Sequence, residues 1–247
     1  MREELARAYD FLARGDMGGT RVQSSPFGRA VYTDELPRRL DGNYLWIDRA
    51  GEPEQLAAEA ERLERRLIFV PDPELGEPLE PWFREQGWRI DRHLVMAQLR
   101  EPAREVDQSV VREVTEPELR VARERVLARE PWAKPEVLEQ IFRAKALIGE
   151  RVRTRFFAAV IDDGVVSYSD LYQDGAEAQV EDVGTVPEHR SRGYASAVVL
   201  VAIAAARADG AEFVFLVADA NDWPKELYRR LGFDELGYYV KFIAPHT

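Results

Sequence analysis

The chain of 247 residues contains no cysteine and only three histidines. Without cysteine, disulfides, thiolate metal sites and a cysteine nucleophile are excluded, and the composition fits a reducing cytoplasm. Three histidines without cysteine supply few ligands for a transition metal, and we expect no metal cofactor. An excess of positive charge is also absent, because 45 Asp and Glu outnumber 34 Lys and Arg, for a formal net charge of −11. Most arginines alternate with glutamates, as in residues 61–66, which is typical of a solvated helix face rather than a nucleic-acid surface.

Long apolar runs are absent as well. The longest, Ala195 to Ala206, is too short to span a membrane. The chain starts with the charged, amphipathic pattern of a helix and not with the pattern of a signal peptide. We therefore expect a cytoplasmic protein that binds neither membranes nor nucleic acids. The length suits one large domain or two small ones, and the 45% of hydrophobic residues is ordinary for a globular protein.

The second half of the chain has the clearer pattern of helices and strands. Two helices are predicted at Glu116 to Arg129 and Pro135 to Ile148, followed by three strands joined by Asp-Gly turns as an antiparallel meander. The third strand ends at Val186. A helix from about Tyr194 to Ala208 then leads directly into the strand Phe213 to Val217, and this order predicts a parallel crossover.

The turn between the third strand and that helix has the composition of a phosphate site. Its pattern is Arg-x-x-Gly-x-Ala. The first N–H groups of a helix have no partner inside the helix and lie at the positive end of its dipole, and a glycine lets a phosphate approach the backbone. A simple strand-to-helix turn is the alternative. The residues predicted to cradle a pyrophosphate are Arg190, Ser191, Arg192, Gly193, Tyr194, Ala195 and Ser196.

The first half contains a fainter copy of the helix that follows the crossover. Residues 80–88 resemble residues 225–233, and each stretch has an aromatic residue, Phe83 or Tyr228, four positions before a glycine. Apolar strands precede both stretches and closing strands follow them. This similarity predicts two related copies. The alternative is that any α/β unit ends with a capping glycine and an aromatic residue.

The two-copy hypothesis places the domains at residues 1–101 and 109–247, joined by a charged linker. The first copy lacks the phosphate pattern. Where the second has its turn, the first has Asp48 to Glu54, whose acidic residues would repel a phosphate. We therefore expect one cofactor site per chain.

The stretch Val183 to Ala197 resembles motif A of the GNAT superfamily of acyl-CoA-dependent N-acetyltransferases, which reads Gln/Arg-x-x-Gly-x-Gly/Ala after a strand ending in Val-x-Pro. The stretch Asn221 to Phe233 resembles the region that follows, where an Asn precedes a helix with a Tyr that ends in Leu-Gly-Phe. The resemblance implies an α/β fold of the GNAT type. Its central sheet is mixed and mostly antiparallel, with splayed parallel strands and flanking helices, and a smaller degenerate GNAT-like domain precedes it.

The resemblance also implies roles for individual residues. Acetyl-CoA is the acetyl donor, its pyrophosphate lies in the turn, and its pantetheine arm pairs with the strand end formed by Gly184, Thr185 and Val186. Tyr228 stands where the family has the general acid that protonates the departing thiolate, with simple aromatic packing as the alternative. Asn221 either binds coenzyme A or caps its helix.

A base for the attacking amine is harder to assign. Glu181 and Asp182 lie on the strand that ends at Val186, and strand alternation places them on opposite faces unless a bulge intervenes. We prefer Glu181 as the general base. Pairing with an arginine, or a water chain in its place, is an equal alternative. An N–H near Val186 is expected to polarise the thioester carbonyl.

The sequence therefore predicts an N-acetyltransferase that moves the acetyl group directly to a primary amine in a ternary complex. A noncatalytic acyl-CoA-binding or sensing protein is the first alternative, and an interaction protein whose first half docks a partner is the second. Other phosphate motifs, the Walker loop, the dinucleotide fingerprint and the hydrolase elbow, do not occur. The identity of the acceptor and the formation of a homodimer stay open.

Overall fold

The computed structural model describes residues 2–15, 17–130 and 133–245. The fold is mixed α/β, with parallel and antiparallel strand pairs flanked by helices, as predicted. The elements in chain order are α1 (Arg2–Arg14), β1 (Arg21–Ser25), β2 (Gly28–Tyr32), β3 (Tyr44–Ile47), α2 (Pro53–Arg62), β4 (Leu67–Val70), α3 (Pro73–Gly76), α4 (Glu80–Glu85), β5 (Arg89–Gln98), β6 (Val111–Val114), α5 (Glu116–Leu127), α6 (Pro135–Gly149), β7 (Arg153–Ile161), β8 (Gly164–Asp174), β9 (Glu177–Thr185), α7 (Tyr194–Ala208), β10 (Phe213–Asp219), α8 (Pro224–Arg230) and β11 (Phe233–Ile243), with 3₁₀ turns at Glu77–Leu79 and Pro187–His189. Across the described ranges, no helix combines the length and the apolar character that crossing a membrane requires.

The chain divides into two compact units. The first comprises the chain up to Val95 together with Val217–Lys225 and the chain from Glu235 onward, and the second comprises Met96–Leu216 and Glu226–Asp234. Each unit is thus built from separated segments. The division at residues 101 and 109 stays a proposal about how the two copies follow each other along the sequence.

The sheet of the first unit runs in the order β1, β2, β3, β4 and β11. Strands β3 and β4 are parallel, with α2 between them in sequence, and β11 is antiparallel to β4, with Val240 opposite Val70. The final strand of the chain therefore belongs to the sheet of the first unit. Its inward-facing Val240 and Phe242 are fully buried in a core with Leu45, Ile68 and Phe83.

The sheet of the second unit runs in the order β10, β9, β8, β7 and β6. Strands β7, β8 and β9 form the predicted antiparallel meander, and β9 and β10 are parallel, with Phe213 opposite Glu177. Helix α7 has its predicted bounds. One face of the sheet carries α5, with Leu119, Tyr168 and Val186 in a common cluster, and the other carries α7, with Val198 buried.

The predicted linker is held in place within the second unit. The N–H groups of Leu99 and Arg100 both donate to the carbonyl of Gly232 at 3.0 Å, and the N–H of Ala103 donates to the carbonyl of Arg230 at 2.8 Å. Arg100 also forms an ion pair with Asp234 at 2.7 Å. This segment therefore packs against the end of α8 instead of crossing open solvent.

The two copies of the helix-aromatic pattern have the same local geometry. In the first unit the ring of Phe83 packs edge-on against Trp88, with centroids 4.8 Å apart. In the second unit Tyr228 packs edge-on against Phe233, with centroids 6.1 Å apart. The equivalent packing at the same spacing is what two related copies are expected to share, and it supports the tandem hypothesis.

Candidate functional site

The turn between β9 and α7 has the backbone of an anion site. Ser191 and Gly193 both have left-handed backbone, with φ of 60° and 88°. Left-handed residues interspersed in a turn bring successive N–H groups into one concavity that binds anions. Gly193 is the N-cap of α7, and no side chain caps the helix. A Cβ on Gly193 would meet nothing within 4 Å, so its φ, and not crowding, requires a glycine.

The side chains around this turn are placed as follows. Arg190 and Arg192 are exposed, and the Arg190 Nε donates to the carbonyl of Thr185 at 3.3 Å. Positive charge therefore borders the turn on its solvent side. Tyr194 is half-buried beside the ring of His189, with centroids 6.3 Å apart. Ser196 is 3% exposed, so its hydroxyl lies beneath the first turn of α7 and not at the mouth of the concavity.

The corresponding helix start in the first unit is different. Helix α2 begins with Pro53, and Glu52 and Gln55 form a capping box over its first N–H groups. A carboxylate thus occupies the place where α7 has no side chain. The predicted repulsion of a phosphate at this position is consistent with that arrangement.

A β-bulge interrupts β9 next to the turn. Tyr168 pairs with Gly184 and Asp170 pairs with Glu181, so Asp182 and Val183 together lie opposite the single residue between Tyr168 and Asp170. Asp182 has a left-handed φ of 50°. The bulge places Glu181 and Asp182 on the same face of the sheet, the face that α5 and α6 cover. Strict alternation would have separated them.

Four charged side chains meet at the bulge. Arg123 of α5 donates hydrogen bonds to both Asp170 and Asp182. Lys145 of α6 lies 2.7 Å from the Asp170 carboxylate and 3.2 Å from that of Asp182. The side chains of Arg123 and Asp170 are 0% exposed, whereas that of Asp182 is 23% exposed. We call Arg123, Lys145, Asp170 and Asp182 the bulge cluster.

The members of the bulge cluster stabilise one another's charges. Burial alone would raise the pKa of Asp170, but Lys145 and Arg123 outweigh it and hold that pKa below its usual range. Burial also opposes the charged form of Lys145, yet the nearby Asp170 and Asp182 raise its pKa well above the usual value. Asp170 and Lys145 are therefore both charged at neutral pH.

Glu181 has a different environment from Asp182. Its carboxylate accepts a hydrogen bond of 2.6 Å from the Nε2 of Gln179, which is 1% exposed. Asp182 contacts two cations, Arg123 and Lys145. The role of Glu181 as the general base stays a prediction.

The strand end beyond the bulge is closely packed. The hydroxyl of Ser167 donates to the carbonyl of Gly184 at 2.9 Å and lies 2.9 Å from the hydroxyl of Thr185. The N–H of Val186 donates to the carbonyl of Val166 at 2.9 Å. The amide of Val186 itself is thus engaged within the sheet. A carbonyl-polarising N–H near Val186 therefore stays a prediction, and the residues of the neighbouring bulge are its candidates.

Tyr228 and Asn221 lie at opposite ends of the α8 region. Tyr228 is 7% exposed, and its ring contact is with Phe233. The N–H of Asn221 bonds to the Asp219 carboxylate at 2.7 Å. Because α8 begins at Pro224, Asn221 does not occupy its cap position, and the capping interpretation is wrong. Instead, Asn221 borders a pocket of the first unit that also contains Trp88 and Arg92.

Comparisons with known proteins agree with this architecture. Residues 118–233 match the family model described as the acetyltransferase (GNAT) family. Residues 118–233 are a GNAT-family domain. No curated protein matches the sequence of the chain.

Solved structures extend the likeness in fold over nearly the whole chain. A GCN5-related N-acetyltransferase from Kribbella flavida is 18% identical, with a TM-score of 0.62 over 98% of this chain and 95% of that chain. A tandem GNAT protein from the clavulanic acid biosynthesis pathway is 15% identical, with a TM-score of 0.56 over 100% and 97%. A functionally unknown conserved protein from Staphylococcus epidermidis ATCC 12228 is 15% identical, with a TM-score of 0.72 over 94% and 96%. These matches confirm the predicted fold class, and the family model confirms the resemblance for residues 118–233.

The bulge cluster of this GNAT domain is the part that sequence reasoning missed. Arg123 and Lys145 lie in helices rich in Arg, Lys and Glu, and nothing in their spacing separates them from surface charges. Asp170 is the one local signal, because a carboxylate in the middle of an otherwise buried strand requires a partner.

Proposed function

We propose that the protein transfers the acetyl group of acetyl-CoA to a primary amine by direct attack in a ternary complex. The observation that carries this proposal is the uncapped, left-handed turn at the start of α7 within a domain that matches the GNAT acetyltransferase family. An anion site of this kind suits the pyrophosphate of coenzyme A. We expect the location to be the cytoplasm.

The donor is proposed to bind along the turn and the adjacent strand end. The N–H groups of residues 191–196 face the pyrophosphate, and Arg190 and Arg192 add charge from the solvent side. The pantetheine arm pairs with the backbone of Gly184, Thr185 and Val186. Asn221 stays a proposed contact to the donor, although its place in the first unit gives no independent support for that contact.

The chemistry is proposed to proceed as follows. The amine nitrogen forms a bond to the thioester carbon, and its proton passes to Glu181 directly or through water. An N–H of Asp182 or Val183 in the bulge stabilises the developing charge on the carbonyl oxygen. The carbon–sulfur bond then breaks, and the hydroxyl of Tyr228 protonates the departing thiolate. Direct attack involves no covalent acyl-enzyme, and the chain has no cysteine that could serve as the nucleophile for one.

The experiment that tests this function follows thiol release from acetyl-CoA in the presence of a panel of primary amines and amine-bearing peptides. We expect amine-dependent release by the unmodified protein and acetylated amine in equal amount. Tight acetyl-CoA binding without release on a broad panel would contradict the enzyme proposal. That outcome would favour the acyl-CoA-binding alternative.

A further inference from the structure

We propose that Arg123, Lys145, Asp170 and Asp182 hold the β9 bulge in the conformation that acyl transfer needs, and that these four are positioning residues for the transfer step. The inference rests on the proposed function, because transfer is the step that the bulge serves. It concerns the bulge cluster and not the turn that is proposed to bind the donor.

The first argument is the backbone of Asp182. A φ of 50° in the middle of a strand is uncommon for a non-glycine residue, although aspartate adopts it more readily than most, and contacts with the surroundings hold it. Here the surroundings are two cations from two different helices, since Arg123 belongs to α5 and Lys145 to α6. Removing either cation would leave the left-handed backbone of Asp182 with one stabilising contact fewer.

The second argument is that the bulge cluster reaches both sides of the bulge. Arg123 binds Asp182 on one side, and its guanidinium also lies over the ring of Tyr168, 5.1 Å from the centroid. Tyr168 packs directly against Gly184, which follows the bulge. Arg123 therefore contacts the unpaired Asp182 and also the partners of the residues that flank the bulge, Asp170 opposite Glu181 and Tyr168 opposite Gly184.

The third argument is that apolar residues could fill the same space if the bulge cluster served folding stability alone. Buried ion pairs contribute little more to stability than well-packed apolar residues of similar volume. In this bulge cluster the hydroxyl of Tyr172 accepts from Lys145 at 2.9 Å and donates to Asp170 at 3.0 Å, whereas the Nε of Arg123 is buried without a hydrogen-bond partner. The charges of the bulge cluster sit beside the peptide groups proposed to polarise the thioester. Geometry at that point controls rate, since small displacements of reacting groups cost large factors in turnover.

The test uses one single substitution that preserves the backbone preference and one double substitution that also preserves the charge balance. Asp182→Asn keeps a side chain that tolerates positive φ and removes the charge. The double variant Lys145→Met/Asp182→Asn removes one cation and one anion and leaves the buried pair of Arg123 with Asp170 intact. Glu124→Gln is the matched control, because it breaks an exposed ion pair with Arg120 on α5, one residue from Arg123.

We expect kcat to fall about tenfold or more in both cluster variants, while the acetyl-CoA dissociation constant changes by less than about twofold and the control equals the unmodified protein. The amides of residues 181–184 should also exchange hydrogen faster in the cluster variants. Unchanged kcat in both variants would overturn the inference. If the unmodified protein releases no thiol, the proposed function fails. Unchanged exchange at residues 181–184 would still overturn the inference by itself.

Discussion

Gly184 and Tyr168 face each other across β8 and β9 so closely that a side-chain carbon on Gly184 would lie 2.7 Å from the Cε1 of the tyrosine ring. The tyrosine is fully buried and has no room to move. Gly184→Ala should therefore lower the free energy of unfolding by about 1–3 kcal/mol through overpacking. Chemical denaturation of the two proteins measures this difference.

Gly164→Ala is the control for that substitution. Gly164 begins β8, and the nearest atom to its added carbon would be the Ile161 carbonyl oxygen at 3.4 Å, an ordinary contact. We expect its stability to change by less than about 0.5 kcal/mol, as is usual away from crowded sites. Equal losses in both variants would show that crowding against Tyr168 is not the cause.

Gly193→Ala separates backbone strain from ligand binding. Gly193 and Gly210 flank α7, have φ of 88° and 90°, and have nothing within 4 Å of an added carbon. Alanine at either position should cost about 1 kcal/mol of folding stability, because both sites demand left-handed backbone. Only Gly193→Ala should weaken acetyl-CoA binding in a calorimetric titration. Equal affinities for the two variants would argue against the turn as the donor site.

Tyr228→Phe tests the proposed general acid. The ring packing against Phe233 is kept, so we expect folding stability and acetyl-CoA affinity to change little. The turnover number should fall by about 10²- to 10⁴-fold, the usual contribution of general acid catalysis. Steady-state thiol release measures it. Tyr9→Phe, which removes a hydroxyl that bonds to the Tyr238 carbonyl in the first unit, is the control and should retain activity.

The lowered pKa of His93 implies that the stability of the first unit depends on pH. Burial lowers its pKa to about 3, and the charge of Lys241 adds to this effect. In the unfolded chain its pKa is about 6.5. Between these values the unfolded state binds a proton that the folded state does not. The free energy of unfolding should therefore fall as the pH drops below about 6.5, by up to about 1.4 kcal/mol per pH unit.

His93→Phe isolates this contribution from that of the carboxylates. Phenylalanine preserves the ring that stacks on Tyr239 at 5.1 Å and cannot be protonated. The stability difference between the variant and the unmodified protein should grow in favour of the variant between pH 6 and pH 4, by about 1.4 kcal/mol per unit. A difference that is constant with pH would mean that His93 titrates normally.

Regular elements with strong patterns could be predicted from the sequence. Helix α7 has its predicted bounds because it is apolar on nearly every side, with Asp209 and Gly210 at its end. Strands β1 and β6 were not predicted, because β1 exposes four of its five residues and β6 reads Val-Arg-Glu-Val. Such short, polar edge strands carry little hydrophobic periodicity.

The chemistry around the bulge could not be predicted in the same way. Asp182 has no glycine or proline beside it to mark an irregular backbone, and the bulge is defined by its register with β8. Arg123 and Lys145 become internal through the packing of α5 and α6, which is tertiary information. The turn at Gly193, by contrast, is a local motif that the residue types mark, although its left-handed backbone was not predicted.

The most direct measurement is a calorimetric titration of acetyl-CoA into the unmodified protein and into Gly193→Glu. A carboxylate at the start of α7 would repel the pyrophosphate, as Glu52 is expected to do at α2. We predict one acetyl-CoA per chain for the unmodified protein and loss of binding in the variant. Binding that is absent from the unmodified protein, or equal in both proteins, would contradict the assignment of the donor site.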